Sequence, residues 1–145
     1  MSSYVYVTYI KTTPEKLWEA LTKPEFQKQY WFGVIQESGW KKGSPWKMCY
    51  PDGRVTDDGE VLEIDPPRRL VLKWQHQLRP ELKAEGVARC VYELEQADGA
   101  VKLTITHTID AEHSKLIEAV SGGWPRILSN LKSLLETGEV ALLSK

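Results

Sequence analysis

SGGWPRILSNLKSLLETG, Ser121 to Gly138, decides how the rest of the chain must be arranged. From Trp124 onward, Ile127, Leu128, Leu131, Leu134 and Leu135 recur with a period of 3.6, while Arg126, Asn130, Lys132 and Ser133 fall off that stripe. The spacing predicts an amphipathic helix of about 14 residues, roughly 21 Å long. Gly138 sits where a left-handed C-terminal cap belongs. Pro125 suits a first helical turn, where its missing donor would have no partner. The pair Gly122-Gly123 therefore reads as a break after an earlier helical segment, EHSKLIEAVSGG, which carries Leu116 and Val120. Trp124 enters at the end of the long helix. There its indole can close the space beneath against Trp74 or Trp46, either as a core plug or as a lid that touches a ligand.

A helix with one apolar stripe needs a surface to cover, and Val34 to Ile109 supplies it. This region alternates between polar and apolar positions and is punctuated by turn signals such as PDGR, DDG, DPPRR and QADG, the pattern of an antiparallel meander. Trp46, Met48 and Tyr50 share one face of SPWKMCY, with Lys47 and Cys49 on the other. Leu70, Leu72, Trp74 and His76 oppose Val71, Lys73 and Gln75. Ala88, Cys90, Tyr92 and Leu94 form a third inward set, and Val101, Leu103, Ile105, His107 and Ile109 a fourth. One face of each strand is apolar, so the sheet is covered on a single side. GEVLEI is ambiguous: Leu62 and Ile64 share a face with Glu60, which either lies beyond the buried zone or points a carboxylate inward.

Upstream, YVYVTYIKT (Tyr4 to Thr12) reads as a strand with apolar residues on both faces, as if covered on both sides. Those two apolar faces point to a monomer or a weak homodimer. Thr13, Pro14 and Glu15 give an N-cap, a first-turn proline and an early acid, opening a short helix to about Thr22 with Leu17, Trp18 and Leu21 buried. Pro24 and Glu25 open a second, with Phe26, Tyr30 and Trp31 at helical spacing and a stop at Gly33.

The 145 residues fit a single domain, 1–145, with no repeat or linker. Lys and Arg number 19 against 20 Asp and Glu, with no basic run, so nucleic acid and membrane surfaces are not expected partners. No apolar run approaches the ~18 residues needed to span a bilayer. The opening MSSYVYVTYIK lacks the features of a signal peptide, and the expected location is the cytoplasm, with Cys49 and Cys90 as free thiols. Six tryptophans and six tyrosines suit a thick core or an aromatic-walled pocket.

The three histidines show no HExxH spacing and the cysteines no CxxC; GxSxG, P-loop and GxGxxG patterns are missing too. No metal, cofactor or catalytic residue is assigned. His76 and His107 stand out because strand parity puts both on the dry face, where an imidazole needs a hydrogen-bond partner. Each is either a core histidine satisfied within the protein or a handle for a ligand. The acidic group Asp57, Asp58 and Glu60, beside Gly59, reads as a solvated turn, Glu60 being the partial exception. Arg68-Arg69 reads as a surface feature at a strand start. The inward set Trp46, Met48, Tyr50, Trp74, His76, Tyr92, Ile105 and His107, roofed by Trp124 and Leu128, is thus expected to line a small-molecule cavity or, in the plainer reading, an aromatic core.

The order strand, two short helices, antiparallel meander, long C-terminal helix is that of the helix-grip fold. TTPEKLWEALTKPEFQKQYWFG, GEVLEIDPPRRLVLKW, LTITHT and GWPRILSNLKSLLE resemble, in order, motifs of the START-like (SRPBCC) superfamily. They most resemble its heat-shock protein 90 ATPase activator homologue branch, of the C-terminal-domain type. The resemblance implies an α+β fold in which a curved antiparallel sheet wraps around the long helix. It also implies three functions to weigh: a noncatalytic module binding a small hydrophobic or amphipathic ligand, a polyketide cyclase or dehydratase-like enzyme using His76 or His107, and a chaperone-interacting protein. The family often caps its second helix with an acidic or small residue; Lys23 stands there instead, so a weaker helix start is expected.

Overall fold

A computed structural model describes residues 1–144. The elements run β1 (Ser2–Ile10), α1 (Pro14–Thr22), α2 (Pro24–Tyr30), β2 (Ile35–Ser38), β3 (Pro45–Cys49), β4 (Val55–Asp65), β5 (Arg69–His76), α3 (Pro80–Lys83), β6 (Ala88–Ala97), β7 (Ala100–Ile109) and α4 (Lys115–Thr137). The strands form one antiparallel sheet in the order β1-β7-β6-β5-β4-β3-β2. The meander thus runs β2 to β7, and β1 returns to pair with β7 while α1 and α2 carry the chain to the far edge. The sheet is open and curved, with α4 packed chiefly along β1 and α2, which is the helix-grip arrangement.

Local chemistry explains the boundaries. The Thr13 side chain accepts from the Lys16 amide at 3.2 Å, capping α1. Lys23, before α2, makes no side-chain cap bond among the described residues, as its chemistry predicts. The α1–α2–β2 corner is held instead by buried polar groups. Gln27 donates to the Leu21 carbonyl at 2.8 Å and accepts from the Gln36 amide at 2.7 Å, while the Tyr30 hydroxyl donates to the Ala20 carbonyl at 2.9 Å. Each bond satisfies a group that would be costly to bury alone.

The alternation on β6 and β7 is present as expected, with Ala88, Cys90, Tyr92 and Leu94 buried opposite the buried odd positions of β7. Four expectations need correction. First, α4 is one helix of 23 residues, about 34 Å, and Gly122, Gly123 and Pro125 lie inside it. Burial of Leu116, Ile117, Trp124, Ile127, Leu128 and Leu131 along one face outweighs the local helix-breaking tendency. Its N-terminus is capped by Ser114, which accepts from the Ile117 amide at 3.1 Å, and Gly138 (φ 87°) closes the C-terminus in the left-handed region.

Second, the outer face of β1 is not covered in the monomer: Val5, Val7 and Tyr9 are 56%, 44% and 52% exposed. Third, Cys49 and Val71, expected on the wet face, are buried. The register shifts between Met48 and Cys49, which turns the cysteine out of phase. Val71 lies opposite Glu63 and Val91, on the strands that carry the Arg69–Glu63–Arg89 ion pairs. Fourth, β4 carries a bulge between Val61 and Glu63, so its inward positions before the bulge are Asp57, Gly59 and Val61. Gly59 is required there, because a Cβ would collide with the Lys73 carbonyl of the adjacent strand. A carboxylate does point inward from this strand, but it is Asp57 and not Glu60.

Candidate functional site

Where β3, β4 and β5 end, the sheet separates from the first half of α4 and leaves a partly open cavity of about 280 Å³. Trp31 and Val34 wall one side, Met48, Tyr50, Thr56, Asp57, Trp74 and His76 the sheet side, and Leu116, Ala119, Val120, Gly123, Trp124 and Ile127 the helix side. Leu78 and Arg79, both exposed, stand at the mouth with the buried Leu82 of α3 behind them. Aromatic rings give the wall its shape. Trp124 packs edge-on to Trp31 at 5.4 Å and to Trp74 at 5.9 Å.

The polar groups in this wall form a chain. The Trp74 indole Nε1 donates to Asp57 Oδ2 at 2.7 Å, and His76 Nδ1 lies 3.2 Å from the same oxygen. Asp57 is 7% exposed, so its two ring N–H neighbours replace much of the water it has lost. Behind the wall, Trp124 Nε1 donates to His107 Nδ1 at 3.1 Å. His107 is fully buried, and burial lowers its pKa to about 4 although the Asp57 charge works the other way. It is therefore neutral near pH 7 with its proton on Nε2. Burial also raises the Tyr92 hydroxyl and the Cys90 thiol, so neither is an ionised nucleophile. Among the described residues, three buried side-chain atoms lack a hydrogen-bond partner: His76 Nε2, His107 Nε2 and the Tyr92 hydroxyl.

Of the residues expected to line a cavity, Met48, Tyr50, Trp74, His76 and Trp124 border this one. Trp46, Tyr92, Ile105, His107 and Leu128 do not. They form the packed layer behind it, with Trp46 against Trp74 at 4.6 Å and both His107 and Tyr92 against Trp124. Parity fixes which face a side chain occupies but not its position along the strand. Tyr92 pairs with Ile105 in mid-sheet, whereas His76 is the last residue of β5 and Asp57 lies opposite it. Trp124 is also not at a helix end: it lies inside α4, touches Trp74 as expected, and meets Trp31 rather than Trp46. Asp57 was expected in a solvated turn. The signal that could have placed it is the phase Asp57, Gly59, Val61, which the bulge at Leu62 hides from a reading that starts at Ile64.

No curated protein matches the chain. Among solved structures it is similar to the Aha1 dimer from Colwellia psychrerythraea, with 22% identity, a TM-score of 0.77, and coverage of 95% of this chain and 98% of that one. It is similar also to an HSP90 activator from Plasmodium falciparum, with 22% identity, a TM-score of 0.72, and coverage of 92% and 95%. A protein from Cytophaga hutchinsonii is 29% identical, with a TM-score of 0.73 and coverage of 95% and 96%. The family model described as activator of Hsp90 ATPase homolog 1-like protein matches residues 11–136, which is most of the sequence, and the chain belongs to that family.

Proposed function

We propose that the protein binds a small apolar or amphipathic molecule in the cavity between the sheet and α4. The observation that carries this reading is a cavity of about 280 Å³ walled by Trp31, Trp74 and Trp124, with the Asp57–His76 pair set into the same wall. Aromatic walls supply contact area, and a few fixed polar atoms supply orientation; ligand sites combine these features. The volume lies just below the usual range of about 300 to 1,000 Å³ for such sites, so the ligand is small.

Thermal-shift screening of aromatic metabolites and fatty acids, with native mass spectrometry of gently purified protein, tests the reading. A compound that raises the melting temperature of the natural protein should fail to do so with Gly123→Leu. That change puts an isobutyl group at the cavity wall, where a Cβ meets no atom within 4 Å and the folded state has room for it. No shift from any compound and no retained mass would end the proposal, as would binding that survives the Gly123→Leu change.

A second reading is favoured by family membership and by similarity to the Plasmodium activator over nearly the full length of both chains: action on an Hsp90-type chaperone. Adding the protein to purified Hsp90 and measuring ATP hydrolysis tests it. An unchanged rate over a wide range of added protein would remove this reading and leave the first intact.

A further inference from the structure

We propose that the Asp57–His76 pair is a hydrogen-bond-accepting handle and that the cavity takes an aromatic compound bearing a hydroxyl group, the class of phenols and naphthols. This assignment rests on the cavity being a ligand site. The pairing determines which ring nitrogen of His76 accepts. The Trp74 indole is a donor only, so Asp57 Oδ2 accepts from it at 2.7 Å, and the same oxygen lies 3.2 Å from His76 Nδ1. A carboxylate oxygen facing Nδ1 places the imidazole proton there, and in the neutral ring Nε2 then presents a bare lone pair.

That atom is buried and has no partner among the described residues, while its residue borders the cavity. An acceptor held so calls for a ligand O–H or N–H, not for a carbonyl or an ether. Its counterpart behind the wall has the opposite tautomer. His107 Nδ1 accepts from Trp124, so its proton lies on Nε2, and His107 does not border the cavity. Of the two histidines, only His76 borders the cavity. The wall around it is made of ring systems: Trp74 and Trp124 border the cavity with centroids 5.9 Å apart, Trp31 meets Trp124 at 5.4 Å, and Trp46 and His107 back Trp74 from behind the wall at 4.6 and 4.9 Å. Such a wall favours a flat, polarisable body over a flexible chain. Asp57 works through His76 as a positioning residue, and the Trp74 N–H fixes Asp57 in turn.

Three probes of similar shape separate the outcomes by isothermal titration calorimetry: 2-naphthol, 2-methoxynaphthalene and 2-naphthoate. The natural protein should bind 2-naphthol about tenfold more tightly than the methyl ether, the ratio expected from one hydrogen bond to an otherwise unpaired buried acceptor. In His76→Phe the ratio of 2-naphthol to ether affinity should fall from about ten to about one. A readout that needs no variant is the ring nitrogen spectrum of His76 in the natural protein. Free protein should show a protonated Nδ1 and a bare Nε2, and the Nε2 resonance should move with 2-naphthol and not with the ether. Equal binding of naphthol and ether would overturn the handle and leave the cavity reading standing. Preference for 2-naphthoate would overturn it too, since His76 would then be acting as a donor. Binding of none of the three would overturn the handle and its ligand class, while the cavity reading is decided separately by the thermal-shift and mass-spectrometry screen.

Discussion

Burial of His107 makes folding stability depend on pH between about pH 4 and the ordinary imidazole value of 6.5. In the folded protein this imidazole takes a proton only near pH 4, against 6.5 for the unperturbed group, because burial excludes the charged form. Between those values the unfolded chain binds a proton that the folded chain refuses. Stability must therefore fall as pH falls through the window, and rise with pH within it. Integrating that difference gives a loss of about 2 kcal/mol from near pH 7 to about pH 5, and about 3 kcal/mol by about pH 4. Carboxylates also begin to titrate in this range, so the contribution is isolated by comparison with His107→Gln. Glutamine keeps an acceptor for the Trp124 N–H and cannot take a proton. Urea denaturation followed by tryptophan fluorescence, on both proteins near pH 7 and near pH 5, measures it. The natural protein should lose about 2 kcal/mol more than the variant over that interval. An equal loss in both would show that His107 is not held neutral, and the buried Trp124–His107 bond would then be the wrong account of this part of the core.

Trp124→Ala should cost about 3 to 5 kcal/mol, since the indole is 2% exposed and packs on Trp31, Trp74, Tyr92 and His107; a chemical denaturation midpoint close to the natural one would refute its place in the core. Trp124→Phe keeps most of the ring packing and loses the N–H to His107, so a smaller cost of about 1 kcal/mol is expected on the same assay. Lys23→Ser should stabilise α2 by about 1 kcal/mol by supplying the missing cap, read as a higher melting temperature, and no rise would show that the helix start is satisfied in another way. Gly122→Ala should raise stability by roughly 0.5 to 1 kcal/mol, because the position is helical and a Cβ meets nothing within 4 Å. Destabilisation instead would argue that the helix is interrupted there.

The features legible in the sequence are those whose signal is local and periodic. The cap of α1 is written in Thr13, Pro14 and Glu15, and the inward faces of β6 and β7 in strict alternation. Asp57 was not legible, because one extra residue at Leu62 reverses the phase of β4, and a bulge leaves no mark in composition. The continuity of α4 was hidden for a different reason. Glycine and proline report local preference, and that preference loses to a long buried face when the helix is packed along the sheet and α2. The same residues, read in their packed setting, indicate where the cavity lies. Toward its C-terminal end the buried face of α4 carries Leu128 and Leu131, which fill the space against the sheet, and the core there is closed. One to three turns earlier the side chains facing the cavity include Ala119, Val120 and Gly123, and the volume they leave is the space bordered by His76 and Trp74. Gly123 was a signal of missing side chain before it was a signal of missing helix. The cavity opens where the helix continues and its side chains become too small to fill the distance to the sheet.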